Sequence, residues 1–279
     1  VKIDKKTEEL IGFMDEVTNK EADTMNAKLS RRNLWAYPVG SIGRDMAVGM
    51  FSGYLLTYVL FTKNLTGAQF AALSVIMMAA RIFDAFNDPV MGNIIEATRT
   101  RFGKFKPWIA VGCVLSIVVI IFSFTNPFQG WTYVVTFGIL YFAYSIVFTM
   151  NDIAYWGMVP ALARQAQDRN RLTSRTVFFA GVGQFLAGII VPTFTAGSMV
   201  IGGNAITAYR VVSIVICSLF FAFQLMTVLL VQEDNPDQTQ AEHVSLRKIF
   251  QIIRGNDQLV WCGFCFLIFS IGQVLLGNG

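Results

Sequence analysis

The sequence predicts an all-α, polytopic membrane helix bundle, on three observations. Of its 279 residues 54% are hydrophobic and only 14% are charged, and the mean hydropathy is +0.53, whereas soluble domains are about a quarter charged. The apolar residues gather into runs of about 20, the length an α-helix needs to cross a bilayer. Lys and Arg collect in alternate connections between those runs, which is a topology signal. These features exclude an outer-membrane barrel, a secreted disulfide domain and a nucleic-acid binder. The net charge of +4 lies mostly between spans.

The elements follow in order. Residues 1–39 are charged and hold no apolar run, so they read as a cytoplasmic N-terminal extension in which Glu8, Leu10, Ile11, Phe13 and Met14 have the spacing of a short amphipathic helix. No cleavable signal peptide is visible in them. Six spans at 41–62, 69–94, 107–125, 132–159, 176–195 and 206–231 then form one bundle, 40–231. A polar cytoplasmic loop, 232–257, contains Glu233, Asp234 and Asp237 and an amphipathic stretch at 244–253. A seventh span, 258–279, ends the chain.

Counting cations gives the orientation. The N-terminal segment and the loops after spans two, four and six hold eighteen Lys and Arg, against Lys63 and Arg210 on the other side. The N-terminus is therefore expected in the cytoplasm, with the bundle in the cell (inner) membrane. Six spans, a long linker and one further span suggest a two-halved transporter, with the second half beginning at the seventh helix. The chain also begins with Val, so it is expected to be a fragment. The four cysteines, Cys113, Cys217, Cys262 and Cys265, all lie in apolar runs. They read as packing or lipid-facing residues and not as disulfides or a zinc site, the CxxC spacing of the last two notwithstanding.

Charge inside the spans is the functional signal, because an ionised side chain at bilayer depth costs at least about 2.5 kcal/mol and is kept only with a partner, water or an ion. Asp45 lies near the start of span one, Asp84 and Asp88 in span two, and Asp152 deep in span four; Arg44 and Arg81 are the nearby cations. Asp84 and Asp88 are four residues apart, so they sit on one helix face with Asn87 beside them. Such an oxygen-rich cluster suits a hard cation. The alternative is that Arg81 pairs with Asp84, while Asp88, followed by Pro89, only ends the helix. Thr149, Asp152 and Trp156 form one stripe in span four. A carboxylate beside an indole face is a recipe for a sugar, although an aromatic stripe also serves packing. Asp45 would pair with Arg44 or Arg81 if it is only a boundary charge.

The run Arg81-Ile82-Phe83-Asp84-Ala85-Phe86-Asn87-Asp88-Pro89-Val90-Met91-Gly92 and the following Thr98-Arg99-Thr100-Arg101-Phe102-Gly103-Lys104-Phe105-Lys106-Pro107-Trp108 closely resemble the second span and loop of the glycoside-pentoside-hexuronide:cation symporters, the melibiose permease-like family of the major facilitator superfamily. Gly43-Arg44-Asp45 resembles the family's sugar-contacting segment in span one. Thr149-Met150-Asn151-Asp152-Ile153-Ala154-Tyr155-Trp156 resembles its fourth span. The resemblance covers roughly residues 30 to 279. It implies a major facilitator superfamily-like N-terminal half and the start of the second half. It also implies cation ligands at Asp84, Asn87, Asp88 and Thr149, sugar contacts at Asp45, Asp152 and Trp156 with Arg44 close by, and a gating loop at Arg101, Gly103, Lys104 and Lys106. One departure concerns span five, where melibiose permease has an arginine just before a Phe-Phe pair. Val177 stands there before Phe178 and Phe179. Arg175, two residues earlier, lies about 200° around the helix and does not simply replace it.

The expected activity is secondary active transport: symport of a sugar or glycoside with Na+ or H+ by alternating access. No resident cofactor is expected. The partners implied are the sugar, a monovalent cation, membrane lipid and a second transporter half, with no nucleic acid. An intramembrane aspartyl enzyme would need two acids on facing helices sharing a proton; the acidic pair here is on one helix, so an enzyme is not expected. A transport-dead sugar sensor or half-transporter of the same ancestry is the alternative.

Overall fold

The computed structural model describes residues 30–197, 199–233 and 255–277. The elements are α1 (Asn33–Thr62), α2 (Gly67–Ala97), α3 (Lys106–Thr125), α4 (Gly130–Leu162), α5 (Ala166–Thr195), a 3₁₀ turn (Ile201–Gly203), α6 (Ala205–Leu230) and α7 (Asp257–Gly277). The described residues contain no strand. Six helices, α1 to α6, are long and apolar enough to cross a membrane, and the chain is a multi-pass membrane protein. The amphipathic stretches expected at 8–14 and 244–253, with their loop cations, lie outside the described residues.

Several helices outrun the apolar segments that mark them. The 33 residues of α4 make a helix roughly 50 Å long, well beyond a hydrocarbon core of about 30 Å. Hydropathy senses only the part that meets lipid, and the polar turns beyond it stay helical. Thus α1 begins at Asn33, inside the stretch expected to be an aqueous extension, and passes through Pro38. Similarly, α5 begins at Ala166 and includes the charged turn with Asp168, Arg169 and Arg171. Pro89 does not end α2, which continues to Ala97. Asp88 is therefore an interior residue of α2 and not its terminator.

The helix ends have local causes. Thr66 and Gln69 form a reciprocal capping box at the start of α2, with Gln69 N donating to Thr66 Oγ1 at 3.4 Å and Thr66 N to Gln69 Oε1 at 2.9 Å. Asn204 Oδ1 accepts from Thr207 N at 2.7 Å to start α6. Pro107 stands in the first turn of α3, where its missing N–H costs nothing. At the other end of α3, the buried Lys63 donates to the carbonyls of Asn126 (2.9 Å) and Phe128 (3.0 Å).

The described residues fall into two units, one holding α1 to α6 with Gln232 and Glu233, the other α7. In the first, α1 packs most closely against α5 and α6, α3 against α4 and α6, and α2 chiefly against α4. Small residues allow this approach. A Cβ on Gly43 would lie 2.8 Å from the Leu219 carbonyl oxygen, one on Gly112 2.8 Å from Asn151 N, and one on Gly183 would collide with the Ile42 carbonyl. α7 presents exposed Trp261, Phe264 and Phe266 together with exposed Cys262 and Cys265.

Two apolar clusters fill the six-helix unit. One takes Met46 to Val59 of α1, Leu73 and Ala80 of α2, Cys113 to Phe124 of α3 and Tyr133 to Tyr144 of α4. The other takes Ala36 and Tyr37, Met91 and Ile95, Phe105 and Ile109, and Ala154 to Leu162. Between the two clusters α1, α2 and α4 each bring polar residues: Arg44 and Asp45 on α1, Asp84, Asn87 and Asp88 on α2, and Ser145, Thr149, Asn151 and Asp152 on α4. A polar belt therefore crosses the bundle at mid-height.

Candidate functional site

The belt holds two networks. In the first, Arg44 reaches from α1 to α4. Its Nη1 donates to Asp152 Oδ1 at 2.8 Å, while Nη2 and Nε donate to Asp45 Oδ2 at 3.0 and 3.2 Å. The guanidinium lies 4.7 Å from the Tyr155 ring centroid and 5.4 Å from that of Trp156. Side-chain exposure rises from 4% for Arg44 to 13% for Asp45 and 40% for Asp152, so the cation is sealed while Asp152 keeps an open face. Asp45 finds its partner in Arg44 and not in Arg81.

Below this network Tyr37 and Tyr155 stack at 4.5 Å. Tyr37 donates its hydroxyl to the Tyr155 carbonyl at 2.6 Å, and Tyr155 returns one to the Tyr37 carbonyl. α1 and α4 do not approach closely backbone to backbone; long side chains bridge them. Asp152 and Trp156, one turn apart on α4, offer an acceptor beside an aromatic face.

The second network joins α2 to α4. Ser145 Oγ donates to Asp84 Oδ1, and one turn further Thr149 Oγ1 donates to Asp88 Oδ1 at 3.2 Å. Both pairs span 61 residues, because α2 and α4 run in the same direction and advancing four residues on each preserves the pairing. Arg81 Nη1 stands 3.7 Å from Asp84 Oδ2, so the ion pair expected as an alternative is present, on a guanidinium that faces outward. Asn87 Nδ2 is buried with no hydrogen-bond partner among the described residues. No three His, Cys, Asp or Glu side chains converge among the described residues. Two carboxylates with neutral hydroxyl and amide groups form a donor set of low charge, suited to a monovalent cation more than to a divalent one.

The segment 101–106 is folded tightly onto its neighbours. Gly103 has φ +105°, a left-handed value open to glycine at little cost. Thr100 Oγ1 donates to its carbonyl at 2.5 Å. Lys104 N and Phe105 N donate to Glu233 Oε1 at 2.8 and 3.3 Å, and a Cβ at 103 would strike the same carboxylate. Lys104 pairs with Glu96, Arg101 lies over the Phe102 ring at 4.7 Å, and Lys106 opens α3. Glu233 thus caps the start of α3 from beyond α6, and Gln232 next to it exchanges two hydrogen bonds with the Asn33 side chain at 2.8 and 2.9 Å.

Arg175 stays away from the belt. Its guanidinium lies 4.5 Å over the Trp35 ring, and its Nη1 has no hydrogen-bond partner among the described residues. Sequence reasoning missed Ser145 and the capping role of Glu233. The signal for Ser145 was available: it precedes Thr149 by the same four residues that separate Asp84 from Asp88.

Comparison with known proteins agrees with this architecture. A family model described as MFS/sugar transport protein matches residues 36–278. The lactose permease of Lactobacillus helveticus is 28% identical over 274 residues, covering 90% of this chain and 42% of the relative. The raffinose carrier protein of Pediococcus pentosaceus is 27% identical over 259 residues, covering 87% and 40%. An uncharacterized symporter of Bacillus subtilis, YnaJ, is 27% identical over 244 residues, covering 85% and 52%. The chain spans well under half the length of the first two.

Proposed function

Because the chain belongs to the MFS/sugar transport protein family, we propose that it supplies the sugar- and ion-binding bundle of a cation-coupled symporter for a sugar or glycoside. The carrier sits in the cell membrane with the start of α1 on the cytoplasmic side, and it works by alternating access. Names of its relatives that speak of lactose, raffinose and symport support the class. The observation that carries the reading is the polar belt, in which two networks share α4.

In this reading Na+ or H+ enters between Asp84, Asn87, Asp88 and Thr149, where positive charge offsets the repulsion of two carboxylates on one helix face. The sugar lays an apolar face on Trp156 and gives hydroxyl hydrogens to Asp152 and Asp45, with Arg44 holding both acids in place. Cation and sugar then raise each other's affinity by the same factor. Arg101, Gly103, Lys104 and Lys106 belong to a cytoplasmic hinge fastened by Glu233, around which the bundle rocks.

The test is uptake into proteoliposomes of radiolabelled lactose, raffinose and a phenyl glucuronide by the carrier that contains this chain. Inward Na+ and proton gradients are imposed separately. At least one probe should accumulate under one gradient, and Asp88→Asn should abolish that accumulation. Wild-type failure on every probe and gradient, or undiminished accumulation by Asp88→Asn, would sink the proposal. Binding without accumulation in the wild type would mark a sugar sensor instead.

A further inference from the structure

We infer that Ser145 is a positioning residue of the coupling-ion site, fixing the Asp84 carboxylate for Na+; the inference rests on the reading of Asp84 as an ion ligand. Asp84 has two neighbours of opposite quality. Arg81 stands 3.7 Å away with its side chain 70% exposed, too far for a hydrogen bond, so it attracts the carboxylate without fixing its orientation. Ser145 is 8% exposed, and its hydroxyl donates directly to Asp84 Oδ1 from the facing helix. The shielded hydrogen bond fixes the carboxylate; the exposed ion pair does not.

The pairing is built into the register. Ser145 and Thr149 are successive rungs of one ladder, each 61 residues from its acid. Thr149 closes the rung at Asp88 and Ser145 the rung at Asp84, so both carboxylates are tied to α4 and the space between them is defined by α4 and not by α2 alone. Asn87 Nδ2 lies buried between the rungs in sequence and lacks a partner among the described residues. Outer partners that orient a ligating carboxylate affect metal affinity by about 10- to 100-fold when removed. Loss of the Ser145 hydroxyl frees Asp84 to swing toward Arg81, out of the position where it meets the ion with Asp88.

The experiment reads Na+ binding without needing the sugar. The purified carrier is melted in detergent across a NaCl titration, with choline chloride holding ionic strength constant, since an ion that binds the folded state raises the midpoint by mass action. Wild type should show a saturable rise. Ser145→Ala should raise the half-saturating Na+ concentration about tenfold or more, and Ser145→Thr, which keeps the hydroxyl, should restore it. A purely structural role would lower the melting midpoint in choline chloride and leave the half-saturating concentration unchanged; that result overturns the inference. Asp84→Asn separates the two levels. If it loses the Na+ response while Ser145→Ala keeps it, the role of Ser145 falls and the ion site stands. If Asp84→Asn responds like wild type, both fall; if wild type shows no Na+ response, the inference for Na+ falls, and proton-driven uptake decides whether the ion site stands.

Discussion

Arg44 offers the sharpest energetic test, because its guanidinium is the most sealed charge in the belt and serves two carboxylates at once. Arg44→Gln removes three hydrogen bonds of 2.8 to 3.2 Å. Stripping one partner from a buried pair costs about 3–5 kcal/mol, since an uncompensated charge stays behind. The two arms do not contribute equally: Asp152 is 40% exposed against 13% for Asp45, so water replaces much of the lost contact at Asp152, where the pair is worth about 1 kcal/mol or less. The expected loss is about 3 kcal/mol, mostly from the Asp45 arm. Equilibrium unfolding in mixed micelles of SDS and a mild detergent would measure it for Arg44→Gln, Asp45→Asn and the double variant. Residues in direct contact interact by about 0.5–3 kcal/mol, so the double variant should lose clearly less than the two single losses combined. Additive losses, or an Arg44→Gln loss below about 1 kcal/mol, would show that the network is held by the helices around it and does not itself hold α1 to α4.

Two further changes probe the frame around the belt. Glu233→Ala deprives the Lys104 and Phe105 amides of their acceptor and should cost about 0.5–2 kcal/mol, the usual value of a helix cap. Glu233→Gln should retain part of this, and equal losses for Ala and Gln in the same unfolding assay would mean that charge, not acceptor geometry, matters there. Gly183→Ala drives a methyl into the Ile42 carbonyl and should cost about 1–3 kcal/mol as overpacking. Gly181→Ala, which meets open space, should be neutral or stabilising by up to about 1 kcal/mol, and a loss there equal to that at 183 would refute the close-approach account.

The spans were legible because lipid demands unbroken apolar length, and that demand is written residue by residue. Their polar ends were not. Residues 166–175 look like a loop to any hydropathy scale, yet they continue α5, since nothing in Arg, Gln or Leu opposes a helix once one has started. Pro89 did not interrupt span two as read, and α2 does pass through it, packed on α4, so the alternative in which Asp88 only ends the helix is excluded. At the belt, Arg44, Asp45, Asp84, Asp88 and Asp152 stood out because each is costly where it lies. Their pairing was hidden. Periodicity tells which residues share a face of one helix, and only the tertiary register decides that Arg44 meets Asp152 across 108 residues. The spacing of Ser145 from Thr149 was easily passed over, because a lone hydroxyl in an apolar helix is cheap and usually bonds back to its own backbone, as Ser123 does to Val119.

That register also gives the proposed coupling a physical carrier. α2 rests chiefly on α4, and the two acid–hydroxyl rungs hold it there. Arg44 holds α1 to the same helix through Asp152, three residues beyond Thr149. An ion that tightens the rungs therefore restrains α4 less than one turn from the carboxylate on which the sugar would rest. A sugar that takes acceptor oxygens of Asp152 competes with Arg44 and changes how α4 is tied to α1. Each ligand thus acts on the element that positions the other, which is what reciprocal affinity requires of a structure. Ser145→Ala and Arg44→Gln are therefore complementary. The first should weaken the ion's effect on sugar affinity while leaving sugar affinity without the ion unchanged. The second should change sugar affinity whether or not the ion is present. A Ser145→Ala carrier whose sugar affinity rises with the ion as much as wild type's would mean that α4 transmits nothing between the two networks.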